Sequence, residues 1–239
     1  MTDGCISKKD YGHVLNLSLQ ERDSEHLSSF KTFLQSEHPI IKKDNSAGYG
    51  MGQICIFHVH CPDHLASSLI ALGVTPRKTK TADAGNLATN KHFWRGCIDG
   101  DGTVSIHRSG GKQQPFIMLC SDSKTLIEQF SAFVRSICPG HPASIKLISR
   151  VLTVRVYGTQ AIRLVRHLYG DEAFGLSRKV STANEIMRQS NVDPDWCNGR
   201  TSEKTKSRLR AMWTEEHKAS VSAWRKGKID CPSMPNKTS

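Results

Sequence analysis

Phe93-Trp94-Arg95-Gly96-Cys97-Ile98-Asp99-Gly100-Asp101-Gly102 is a short apolar run ending in two acids separated by one glycine. The alternation that follows, Thr103-Val104-Ser105-Ile106-His107, predicts that a helix stops and a strand starts at Asp101. A helix C-terminus carries partial negative charge, so a carboxylate at that end deepens a field that attracts a cation. Gly96 and Gly100, one helical turn apart, leave one face without side chains, where a second helix can approach. Taken alone, the same run also fits a plain helix stop and turn.

The rest of the chain repeats this unit. Met1-Thr2-Asp3-Gly4-Cys5-Ile6 copies the end of the run, with Asp3 standing 98 positions before Asp101. Asp23-Ser24-Glu25-His26-Leu27 recurs as Asp122-Ser123-Lys124-Thr125-Leu126 at offset 99, and Phe57 to His60 is mirrored by Val154 to Tyr157 at offset 97. Leu72 to Lys78 is echoed by Phe174 to Lys179, with the two lysines 101 apart. Four landmarks in one order at nearly constant offset predict two copies of one unit, over residues 1–83 and 92–190. Residues 84–91 read as a linker whose Asn90 suits a helix N-cap. Residues 191–239 form a polar tail with 10 Lys or Arg against 6 Asp or Glu.

From Trp94 to Gly102 the segment resembles, position by position, the motif of the LAGLIDADG homing endonucleases, in their two-repeat, single-chain form. The resemblance implies that Asp3 and Asp101 meet at a pseudo-twofold axis, each offering a carboxylate for Mg²⁺ beside a scissile phosphate. Mg²⁺ is commonly held by one or two carboxylates together with phosphate oxygens and water. It also implies a basic residue near each acid, Lys78 and Lys179, and a polar water-positioning residue after the second strand. Gln20 fits that last role in the first unit. In the second, Cys120-Ser121 stands there with one residue deleted, which makes Ser121 a weak counterpart. A first motif read from Met1-Thr2-Asp3 lacks most of its helix. The expectations are an upstream start, dimerisation through the helix of Phe93 to Asp101, or a decayed copy with impaired cleavage.

Periodicity predicts the same element order in both units. Strands fall at Cys5–Ser7 and Val14–Leu19, then at Val104–His107 and Phe116–Leu119. Helices follow with apolar residues Leu27, Phe30 and Leu34, and Leu126, Ile127, Phe130 and Val134. Further strands (Gln53–Cys61, Val151–Tyr157) and helices from near Pro62 and Thr159 complete each unit. The expected fold class is α+β, two pseudo-symmetric αββαββα repeats forming a DNA-binding saddle, the first without its opening helix. Four twisted strands per unit present a polar face with Lys8, Lys9, His58, His60, His107, Arg108, Lys112, Arg155 and Tyr157, and a strand ribbon fits a major groove.

Composition agrees with such a partner. The 239 residues carry a net charge of +11 and a pI near 9.4, favouring polyanions over acidic partners. No apolar stretch approaches the roughly 20 residues of a membrane span, and no signal peptide opens the chain. Eight cysteines without a Cys-x-x-Cys pair suggest reduced thiols in a cytoplasmic or organellar setting rather than a secreted protein. His58-Val59-His60-Cys61-Pro62-Asp63-His64 has the residue types of a zinc site, but its counterparts Arg155 and Tyr157 are not ligands. The tail segment Trp213 to Lys228, closing on Arg225, Lys226 and Lys228, is similar to short DNA-binding tails of intron-encoded nucleases, with a disordered basic tail as the alternative. The whole reads as a Mg²⁺-dependent, site-specific double-stranded DNA endonuclease, a monomer, or a homodimer if the first motif helix is absent. An intron-RNA-binding maturase and a non-cleaving DNA-binding regulator are the rivals.

Overall fold

The computed structural model describes residues 4–45, 52–76, 78–109, 112–170, 174–192 and 196. The first repeat runs β1 (Gly4–Lys9), β2 (Gly12–Gln20), a 3-10 turn (Glu21–Asp23), α1 (Ser24–Phe33), β3 (Ile40–Asn45), β4 (Gly52–Cys61) and α2 (Asp63–Ala71). The second runs α3 (Lys91–Asp101), β5 (Gly102–Ser109), β6 (Lys112–Ser121), α4 (Lys124–Ile137), β7 (Ile145–Ile148), β8 (Val151–Tyr157), α5 (Gly158–Tyr169) and α6 (Ser177–Val192). Each repeat folds into a four-stranded antiparallel sheet with one strand order, β1-β2-β4-β3 and β5-β6-β8-β7. The internal repetition of the sequence is therefore a repetition of fold.

Alternation along the central strands separates two faces. Leu15 and Leu17 of β2 and Cys55, Phe57 and Val59 of β4 meet Ile6 and Leu27 in the core of the first repeat. The second core is larger. Trp94 is fully buried, with ring centroids 5.2 Å from Phe130 and 5.8 Å from Phe133, and it joins Ile98, Ile117, Leu119, Val154 and Leu164. Its indole N–H donates to the Ala88 carbonyl at 2.7 Å, as a buried indole requires.

The linker is part of this second core. Ala84 is buried in it and Ala88 packs against it, and Ala84 N–H donates to Gln129 Oε1 at 2.9 Å; just before the linker, Ala82 is buried there too and its carbonyl accepts from Ser123 Oγ. Asn90 accepts from the backbone N–H of His92 at 2.8 Å and of Phe93 at 3.2 Å, starting α3 with a side-chain cap. The repeats diverge at their ends. Val180, Ala183, Ile186 and Met187 recur at helical spacing and seat the 16 residues of α6 on the second core. Lys78-Thr79-Lys80 has no such stripe and forms a single 3-10 turn. No helix among the described residues is long and apolar enough to cross a membrane.

Candidate nucleic-acid interface and carboxylate site

Asp101 is the last residue of α3 and is exposed, whereas Asp99, two residues earlier, is 6% exposed. The helical turn sends the two acids to different places. Asp99 accepts from Tyr169 O–H at 2.8 Å and from Leu176 N–H at 3.2 Å. Burial pushes its carboxyl above the usual carboxylate range, opposed by those two donors and by the Lys179 and His26 charges. Asp99 is thus an internal tie between α3, α5 and the start of α6, and Asp101 is the acid that meets solvent. Asp3 lies outside the described residues.

The two lysines expected near the acids occupy matching positions, and both reach main-chain carbonyls. Lys179 is only 3% exposed, and its ammonium donates to the carbonyls of Ile98 (2.6 Å), Asp99 (2.6 Å) and Gly102 (2.9 Å). An ammonium has three N–H donors, enough to serve all three of these carbonyls. Lys78 Nζ donates to the Gly4 carbonyl, the counterpart of Gly102. The Ile98 carbonyl also accepts the Gly102 N–H, so the ammonium matters most for the acceptors that the helix end leaves unpaired, and it opposes the negative end of the dipole. Spacing between the repeats locates both lysines but not this capping contact, because the acceptors are backbone atoms that leave no trace in residue types.

Backbone crowding explains the glycine after Asp101. A Cβ on Gly102 would fall 2.6 Å from Ile98 Cα and 2.7 Å from the Met118 carbonyl oxygen. Any side chain there would push β5 off the end of α3. Gly175 is as tightly held, since its Cβ would lie 2.7 Å from Asp99 Oδ2.

Register assigns the polar side chains to sheet faces. On the face away from the first core stand Lys9, Asn16, Gln20, His58 and His60. His58 Nδ1 pairs with Asn16 Oδ1, Asn16 Nδ2 donates to Ser7 Oγ at 3.0 Å, and His60 lies 5.1 Å from the ring of Tyr11. Gln20 is the exposed last residue of β2, as Ser121 is the last of β6. The equivalent face of the second sheet carries His107, Arg155 and Tyr157, with Tyr157 facing Phe116 across the strands at 5.8 Å. Lys112 pairs in register with Ser109.

Two members of the expected set lie elsewhere. Lys8 alternates with Ile6 and so points to the helix side at the end of β1, and Arg108 does the same in β5, where it meets Glu185 of α6 at 3.3 Å. Counting strand parity from the buried Ile6 and Val104 would have separated them from Lys9 and His107. Arg225, Lys226 and Lys228 lie outside the described residues. Among the described residues no group of three or more His, Cys, Asp or Glu is placed to hold a metal ion, the His58 to His64 segment included.

Between the repeats lies a cavity of about 450 Å³, lined on one side by Gly4, Leu17, Leu19 and Phe30 and on the other by Gly96 and Gly100 of α3. A Cβ on Gly96 would meet nothing within 4 Å. Gly96→Ala is therefore expected to stabilise the 239-residue protein by about 1 kcal/mol, the helix-propensity difference in an uncrowded position. Urea unfolding measures it. A loss of stability instead would show another backbone closely packed on that glycine.

No protein-family model matches the sequence, and no curated protein does. Solved structures do match in fold. The chain is similar to I-SmaMI bound to an uncleaveable DNA, with a TM-score of 0.51 and 12% identity over 96% of each chain. It is also similar to the I-LtrWI LAGLIDADG homing endonuclease bound to target DNA, with a TM-score of 0.50 and 13% identity, covering 98% of this chain and 95% of that one. The two-repeat architecture is thus the fold of the LAGLIDADG homing endonucleases.

Proposed function

We propose that the protein binds a long duplex DNA site with its two sheets and hydrolyses phosphodiester bonds where the repeats meet. The observation that carries this reading is the pairing of two polar sheet faces, one per repeat, with an exposed carboxylate at the α3–β5 junction. Two solved proteins of this fold are DNA complexes. The net charge of +11 supplies attraction to phosphates without sequence information. Lys9, His58, His60, His107, Arg155 and Tyr157 supply hydrogen-bonding groups on strands that suit a major groove.

Asp101 has the donor chemistry of a hard-cation ligand, a solvent-facing carboxylate beside a helix end, and with Asp3 it would hold a divalent cation such as Mg²⁺. Such a cation, when bound together with phosphate oxygens, supplies an activated water and charge compensation for the leaving oxygen. The remaining work falls to the chain. Lys179 holds the end of α3 so that Asp101 keeps one orientation, and Gly102 lets β5 turn away at once. Gln20, at the end of β2, would orient a water by hydrogen bonding.

Incubating the protein with a randomised duplex library, with and without Mg²⁺, tests the reading. Cleavage at a recurrent long site is the expected result. Binding to a recurrent site with no cutting would replace the nuclease by a regulator, and selective binding of structured intron RNA would replace it by a maturase.

A further inference from the structure

Residues 174–179 touch both repeats. Leu176 N–H donates to Asp99 Oδ2, and Lys179 caps the last carbonyls of α3, so the segment grips the helix that carries Asp101. The residues between them reach the other way. Arg178 Nε donates to Asp23 Oδ1 at 3.0 Å, and its Nη2 to Asp23 Oδ2 at 3.2 Å. Ser177 Oγ donates to Glu25 Oε2 at 3.0 Å, and the Phe174 ring lies 5.0 Å from that of His26.

Asp23 ends the 3-10 turn that follows Gln20, and it is 9% exposed. A carboxylate held so far from water needs a charged partner, and a forked guanidinium is the geometry that serves both oxygens. Among the described residues of its own repeat the nearest cation is Arg22, at 4.0 Å. An exposed ion pair contributes little, but this one has a buried acid at one end. Among the described residues every extensive element-on-element contact lies within one repeat, and between the repeats is the largely apolar cavity described above. The fork from Arg178 therefore bears on how firmly one sheet is held against the other.

We propose that Arg178 is a positioning residue, which through Asp23 fixes the spacing and orientation of the two sheets, and so the register in which one duplex meets both halves. The proposal rests on the DNA-binding reading above for its consequence but not for its geometry. Two linked modules engage one ligand with an effective concentration that is greatest when the linkage matches the span, and a loosened linkage lowers it. Arg178→Gln and Asp23→Asn should then each weaken binding to the full site on the order of tenfold while leaving each half-site within about twofold. The double variant should be no worse than either single one, because both break one interaction.

The test has two arms. In DNA-free protein, spin labels introduced as non-natural amino acids at the exposed positions Lys43 of β3 and Lys146 of β7 report the distance between the sheets. A narrow distribution in the parent that broadens equally in Arg178→Gln, Asp23→Asn and the double variant is expected; an unchanged distribution overturns the proposal. In the second arm, full-site and half-site affinities falling together in Arg178→Gln, with no change in Asp23→Asn, would mean that Arg178 touches phosphate and would equally overturn it. Absence of DNA binding in the parent protein would defeat the functional reading alone, since the distance measurement is made without DNA.

Discussion

Lys179→Met is expected to lower the unfolding free energy by about 2–4 kcal/mol, from buried carbonyls left without their donor. The substitution keeps most of the volume and removes three donors. The carbonyls of Asp99 and Gly102 then lose this donor in a place where water replaces it poorly, while that of Ile98 keeps the Gly102 N–H, and each unsatisfied acceptor costs about 1–3 kcal/mol. Part of this is offset, because a buried ammonium no longer has to be stripped of water. The helix end also loses a cation that opposed its dipole. Urea unfolding of the two proteins measures the difference, and a change under about 1 kcal/mol would mean that the ammonium does not hold these carbonyls in solution. The same change at Lys78 should cost less, because that residue is only half-buried.

Much of this architecture is legible in the residues. Spacing between copies, with Gly4 and Gly102 98 apart and Lys78 and Lys179 101 apart, survives as matched strands and matched lysine-to-carbonyl contacts. Local signals such as Asn90 before α3 work because a cap is made by one side chain and its neighbours in sequence. What escapes such reading depends on contacts distant in sequence. Asp23 and Arg178 are 155 residues apart, and nothing in either local context announces a fork between repeats. Lys8 and Arg108 look like neighbours of Lys9 and His107 in any charge count, yet the pleat turns them to the opposite face. The linker reads as a connection in composition, but Ala84 and Ala88 are small enough to enter or pack on the second core, and small size alone carries no direction.

The separation of Asp99 from Asp101 makes the chemistry testable at one atom. On the proposed nuclease reading, Asp101→Asn should reduce double-strand cleavage by at least about a hundredfold, since loss of a proposed direct ligand should exceed the 10–100-fold typical of groups that merely support one. DNA affinity should stay within about a few fold, because removing a negative charge near phosphates does not weaken electrostatic attraction. Misfolding is a poor alternative explanation for such a loss. Asp101 is exposed, and removing an anion from a helix C-terminus is favourable in sign. Asp99→Asn makes the contrast. It disturbs a buried acceptor of the Tyr169 hydroxyl and the Leu176 amide, so its effect should appear first in stability and only through that in cutting. Assays of cleavage, affinity and urea unfolding on both variants separate the two roles. Full cleavage retained by Asp101→Asn would remove this carboxylate from the reaction, and with it the reason for placing a metal at the end of α3.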